Sequence, residues 1–128
     1  MIHSLIWVLD ERKSPDFYRS ALGMNIADRF VFDGFTLIYL RNPENAMEIE
    51  LTANKGRDQP YGFGQGNGNF AAAVQDLDSE RIRLSGAGLS PTPNTEFFRE
   101  GLRMARFFFI TDPDGYEIEV LLRHDRNQ

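Results

Sequence analysis

The chain has no cysteine, so disulfides and thiolate metal sites are both excluded. Histidine is nearly as scarce, with two in 128 residues, and a metal centre built on imidazoles alone cannot be assembled. No long apolar run is present either. The stretch Leu5 to Leu9 near the start is about a quarter of a membrane span. Positive charge is in deficit, Lys+Arg 14 against Asp+Glu 19 for a net −5, and no basic patch offsets it, so neither nucleic acid nor an anionic membrane is an expected partner. Met1-Ile2-His3 lacks a basic region followed by a long apolar one, and with no cysteine a cytoplasmic location is expected. What is abundant is phenylalanine, eleven residues, which suggests an aromatic-rich interior in a single domain of ordinary size, 1–128.

The chain repeats itself. His3 to Asp10 parallels Asn69 to Asp76, each an apolar strand candidate with Asp at its eighth position. A short helix is expected after each. In the first copy Ser14-Pro15-Asp16 reads as N-cap followed by proline, with Gly23 as the exit. In the second, Asp78 is the expected cap, Ile82 lies in the body, and Gly86 or Gly88 ends it. Three strand candidates follow each helix. Asp33-Gly34 and Glu100-Gly101 make the first turns, Asn42 to Asn45 and Asp112 to Gly115 the second. The twin tripeptides Ile49-Glu50-Leu51 and Ile118-Glu119-Val120 close the two copies. The reading is therefore α+β, two tandem βαβββ modules at 1–53 and 68–123, joined by a Gly-, Asn- and Gln-rich linker at 54–67. That linker leads into a strand and lacks the Lys of a phosphate loop.

Taken singly, Glu50 and Glu119 read as solvated strand residues, and His3 as a surface side chain. The repeat changes this. It puts two carboxylates at matching ends of matching modules, with His3 and Asn69 at the matching starts. One imidazole, two carboxylates and an amide oxygen form a donor set suited to a divalent ion with open water positions. His124 falls in a charged tail and is expected at the surface.

Several segments carry a family resemblance. Ser14 to Met24, with Asp-Phe-Tyr followed by Leu-Gly-Met, resembles the first helix of bacterial glyoxalase I. Asp112-Pro113-Asp114-Gly115-Tyr116-Glu117-Ile118-Glu119 resembles its last hairpin, and Ile49-Glu50-Leu51-Thr52-Ala53-Asn54 its mid-chain metal strand. The resemblance is to the vicinal oxygen chelate superfamily and implies the glyoxalase/bleomycin-resistance/dioxygenase-type fold. It also implies four metal ligands, falling on His3, Glu50, Asn69 and Glu119, with Asn69 standing where the family has a second His. The ion implied is divalent: nickel, cobalt, zinc, manganese or iron. Glu119 is implied as the catalytic base, with Glu50 as its counterpart. Asn54 matches a residue that contacts glutathione, while Trp7 replaces an Arg that pairs with a glutathione carboxylate. On this resemblance the expected activity is a glyoxalase I-like, metal-dependent lyase or isomerase acting on a 2-oxoaldehyde-derived or related small substrate, a glutathione adduct among the candidates, with altered metal and substrate sites. The alternative is a metal-free small-molecule binding protein of the same fold. A homodimer is expected for either.

Overall fold

A computed structural model describes residues 2–123; His124 lies outside the described residues. The chain divides into two compact units, one running to Gln65 and the other starting at Gly66. The first holds β1 (His3–Val8), α1 (Lys13–Leu22), β2 (Asn25–Val31), β3 (Phe35–Arg41) and β4 (Glu48–Asn54). The second holds β5 (Phe70–Val74), α2 (Leu77–Gly86), β6 (Thr95–Arg99), β7 (Leu102–Thr111) and β8 (Glu117–Leu122). Sheet order is β1-β4-β3-β2 in one and β5-β8-β7-β6 in the other. In both units the opening strand pairs parallel with the closing one, and the remaining pairs are antiparallel. The expected α+β architecture of two βαβββ units is thus the observed one.

Strand alternation sorts each sheet into two faces. In the first unit one face carries Ile6, Val8, Ile38, Leu40, Ile49 and Leu51, all buried, and the helix contributes buried Phe17, Tyr18 and Ala21 to the core. In the second, Phe108, Ile110, Ile118 and Val120 are buried, as are Leu77 and Leu84 of α2. The other face of each sheet carries the polar residues of interest.

Both helix starts differ from the expected caps. Asp10, not Ser14, closes the first turn of α1: its Oδ1 accepts from the backbone N–H of Arg12 and of Lys13, each at 2.8 Å. Ser14 is buried inside the first turn and Pro15 follows it there, where a missing N–H costs nothing. Asp76, not Asp78, caps α2, its Oδ1 accepting from Ser79 N–H at 3.0 Å. These two are the aspartates that end the repeated strand segments, so the repeat preserves the caps as well. The carboxyls of both lie below the usual aspartate range, Asp10 chiefly through the Lys13 N–H and Asp76 chiefly through the Ser79 N–H. Gly23 ends α1 in the left-handed region at φ 64°, as expected. Glu100-Gly101 is a two-residue turn with both φ positive, 52° and 78°, matching the twist of β6 and β7. Asp33-Gly34 is likewise a two-residue turn, closed by Phe32 N–H donating to Phe35 C=O at 2.8 Å just beyond the Val31–Thr36 pair.

Candidate active site

The register of the first sheet determines which side chains meet. Glu50 on β4 stands opposite Leu5 on β1 and Tyr39 on β3, and the same face carries His3, Trp7, Thr52 and Asn54. His3 Nε2 lies 3.1 Å from Glu50 Oε2. The Tyr39 hydroxyl donates to Glu50 Oε1 at 2.8 Å. Both carboxylate oxygens of Glu50 are therefore engaged, and the residue is only 6% exposed. Burying an acidic side chain so far is tolerable because of these two partners. The Tyr39 phenol is held above its usual pKa, first by its hydrogen bond to Glu50, then by burial and by the charges of Glu50, Glu48 and Asp28. It stays protonated and remains a donor. Its ring also meets the His3 imidazole edge to face, with centroids 5.9 Å apart.

The second unit repeats the arrangement with two differences. Asn69, just ahead of β5, donates from Nδ2 to Glu119 Oε2 at 3.3 Å and to the Phe70 carbonyl at 3.0 Å. The residue opposite Glu119 on β7 is Phe109. Phenylalanine has no hydroxyl, so Glu119, half-buried, lacks the tether that fixes Glu50.

His3 with Glu50, and Asn69 with Glu119, are thus brought together pairwise within their units. Two donors bound to one octahedral ion at about 2.1 Å and at right angles stand about 3 Å apart, close to the 3.1 Å of the first pair. The second pair turns the amide NH₂ towards the carboxylate, and a half-turn about the amide would present Oδ1 instead. Among the described residues no three His, Asp or Glu side chains gather into a ready cation site. Within the first unit the His3–Glu50 pair offers one nitrogen and one carboxylate donor to a divalent ion, and within the second Asn69 and Glu119 offer an amide and a carboxylate.

Trp7 and Asn54 share a neighbour. The Trp7 and Tyr61 rings stack with centroids 6.0 Å apart and planes 24° apart, and Asn54 Nδ2 donates to the Tyr61 hydroxyl at 3.0 Å. Arg57 lies over the Tyr61 ring, its guanidinium carbon 3.9 Å from the centroid, while donating to the Gln59 and Pro60 carbonyls at 3.0 and 3.1 Å. Tyr39 and Tyr61 are the site residues that sequence reasoning missed. Strand alternation in Phe35-Thr-Leu-Ile-Tyr-Leu and the turn signals that set the hairpin could have placed Tyr39 beside Glu50; no sequence signal marks Tyr61.

Comparison with known proteins identifies the family. Residues 1–120 match the Glyoxalase/Bleomycin resistance protein/Dioxygenase superfamily. The chain belongs to that superfamily. It is 36% identical to a "Probable lactoylglutathione lyase" of Synechocystis over 94% of its own length and 93% of the relative's. It is 33% identical to the lactoylglutathione lyase of Haemophilus influenzae, over 94% and 90%. Among solved structures, Leishmania major glyoxalase I, described as trypanothione-dependent, superposes with a TM-score of 0.74 at 30% identity, covering 95% of this chain and 85% of that one. Zea mays glyoxalase I gives 0.82 at 29% identity, over 98% of this chain and 45% of the larger protein. Within the superfamily the chain is therefore glyoxalase I-like. No helix among the described residues is long and apolar enough to cross a membrane.

Proposed function

We propose that this chain is a metal-dependent, glyoxalase I-type isomerase, in which His3 and Glu50 of the first unit and Asn69 and Glu119 of the second supply the donors to one divalent cation. The observation that carries this reading is the pairing of His3 with Glu50 at 3.1 Å at an otherwise buried carboxylate. Nickel, cobalt, zinc, manganese or iron would supply positive charge to two adjacent substrate oxygens. The substrate is a hemithioacetal formed from a 2-oxoaldehyde and a thiol such as glutathione. Isomerisation moves the proton on the carbon bearing sulfur and hydroxyl to the neighbouring carbonyl carbon, and the hydroxyl proton to that carbonyl's oxygen, leaving a 2-hydroxyacyl thioester; no oxidant or reductant is needed.

Glu119 is the group proposed to move that proton. Among the described residues its carboxylate has the Asn69 amide as hydrogen-bond partner and stands opposite Phe109, whereas Glu50 is tethered by both Tyr39 and His3 and serves as fixed ligand and counterpart. Trp7 and Asn54 are proposed to contact the substrate beyond its reacting atoms. A cytoplasmic homodimer is part of this reading. Support for it comes from β2 and β6, each exposed along its whole length, with Phe30 48%, Phe97 58% and Phe98 61% exposed.

The test is elemental analysis of untagged protein followed by turnover of the methylglyoxal–glutathione hemithioacetal. A divalent metal near one per chain is expected, with weak turnover, because Asn69 replaces an imidazole and Trp7 cannot fork onto a carboxylate. A kcat/KM in the efficient range of about 10⁴–10⁸ M⁻¹s⁻¹ would show that neither change matters. The NH₂ of Asn69 facing Glu119 favours a second reading, a metal-free binding protein of the same fold. Protein that neither carries nor takes up a divalent metal would establish that one.

A further inference from the structure

We infer that the ligand of this site carries a neutral aromatic group, seated on Trp7 and Tyr61, rather than an anionic peptide arm. The inference rests on reading the His3–Glu50 face of the first sheet as the substrate face. It does not depend on whether catalysis occurs there.

Trp7 is four residues after His3 on β1, an even separation, so both side chains leave the sheet on one side, about 13 Å apart along the strand. That distance suits the reach of a small molecule from the His3–Glu50 pair to the indole. Trp7 remains 51% exposed although Tyr61 stacks on it. A half-exposed indole with a second ring stacked against it is a platform offering offset-stacking surface to a further ring. The platform is braced rather than loose. Asn54 donates to the Tyr61 hydroxyl, and Arg57 packs on the Tyr61 ring while donating to the Gln59 and Pro60 carbonyls.

Charge on the strands of this face opposes an anion, and Arg57 beside Tyr61 is engaged by the Gln59 and Pro60 carbonyls. Alternation places Asp28, Glu48 and Glu50 on it, and Arg41, its one strand cation, is paired to Glu48 at 3.2 Å. A ligand with two free carboxylates would meet carboxylates and no unengaged guanidinium on these strands. Between the metal pair and the platform the floor is apolar except at Thr52, 8% exposed, whose hydroxyl has no partner among the described residues. An orphaned hydroxyl on a site floor is what a ligand's polar linking atom would satisfy.

The experiment is calorimetric titration of the whole protein, with EDTA present, by 1-naphthol and separately by glutathione. The Kd for 1-naphthol is expected at least tenfold below that for glutathione. Trp7→Ala and Tyr61→Ala should each weaken 1-naphthol about 3- to 10-fold, the worth of one aromatic pair, and Trp7→Phe should retain most of the binding. Tyr61 lies outside every strand and helix, so its variant keeps the fold, as an unchanged melting temperature will verify. Glutathione binding as tightly as 1-naphthol overturns the inference. So does 1-naphthol affinity unchanged in both alanine variants. Absent metal or absent turnover would instead remove the isomerase reading alone, since these titrations use neither.

Discussion

Removing one oxygen atom tests the arrangement around Glu50. Tyr39→Phe deletes the hydroxyl that donates to Oε1 at 2.8 Å and leaves the ring, with its packing against His3, in place. A hydrogen bond to a charged acceptor contributes about 1.5–3 kcal/mol, and at a carboxylate 6% exposed water replaces the lost donor poorly, so a loss of about 2 kcal/mol is expected. For a chain of this size that is about 5–10 °C in melting temperature. Metal binding should suffer too, because fixing a ligand's orientation is typically worth about 10- to 100-fold in affinity. Cobalt(II) titration followed by its visible absorption reads both the affinity and the geometry at the ion. The control is a cycle with Glu50→Gln. A neutral acceptor makes the phenol worth about 1 kcal/mol, so Tyr39→Phe should cost half as much or less in that background. An equal cost in both backgrounds would show that the phenol stabilises the sheet without acting on the carboxylate. A cost below about 0.5 kcal/mol with unchanged cobalt binding would refute the whole account, since such values are ordinary for surface substitutions.

Asn69→His should raise cobalt or nickel affinity by at least about tenfold, because imidazole is the stronger donor, and adding Glu119→Gln should abolish the gain; calorimetry of both variants decides this. Asp10 and Asp76 have depressed carboxyl pKa values, so their charge stabilises the fold above the unfolded value of about 3.9 and that contribution is lost as pH falls through the lower folded values. The melting-temperature gap between the unaltered chain and Asp10→Asn with Asp76→Asn should therefore be present at pH 7 and close below about pH 4; a gap independent of pH would count against the caps acting through charge. Light scattering at micromolar concentration should give twice the chain mass of 14.7 kDa, and a monomer would remove the homodimer from the proposal.

The sheets were legible in the sequence because two copies of a weak pattern constrain each other. Ile49-Glu50-Leu51 alone could be any amphipathic strand, but its partner Ile118-Glu119-Val120 lies at the same place in a second unit of the same order. Helix caps were less legible. Ser14 before Pro15 has the composition of a cap, yet Asp10 reaches the free N–H groups first because the chain turns at Glu11 and Arg12, a path that residue types do not encode. Tyr39 was hidden because an aromatic in an apolar strand reads as core. Tyr61 was hidden in a Gly-rich stretch whose composition suggests only a linker, although it returns to stack on the opening strand.

The same repeat that made the site legible also concealed its asymmetry. Duplicate units present Glu50 and Glu119 as equivalents, and by spacing alone neither has a better claim to be base or ligand. The difference lies in the strand alongside. Tyr39 faces Glu50 and Phe109 faces Glu119, so on that side one oxygen atom distinguishes the two carboxylates, beside the exchange of His3 for Asn69. With it, a carboxylate is tied at both oxygens and suited to holding a fixed position; without it, a carboxylate keeps one oxygen available for proton transfer. Exchanging that atom between the units, Tyr39→Phe together with Phe109→Tyr, keeps composition nearly constant while moving the tether. A site whose two carboxylates act interchangeably would be indifferent to the exchange, and one with divided roles would not.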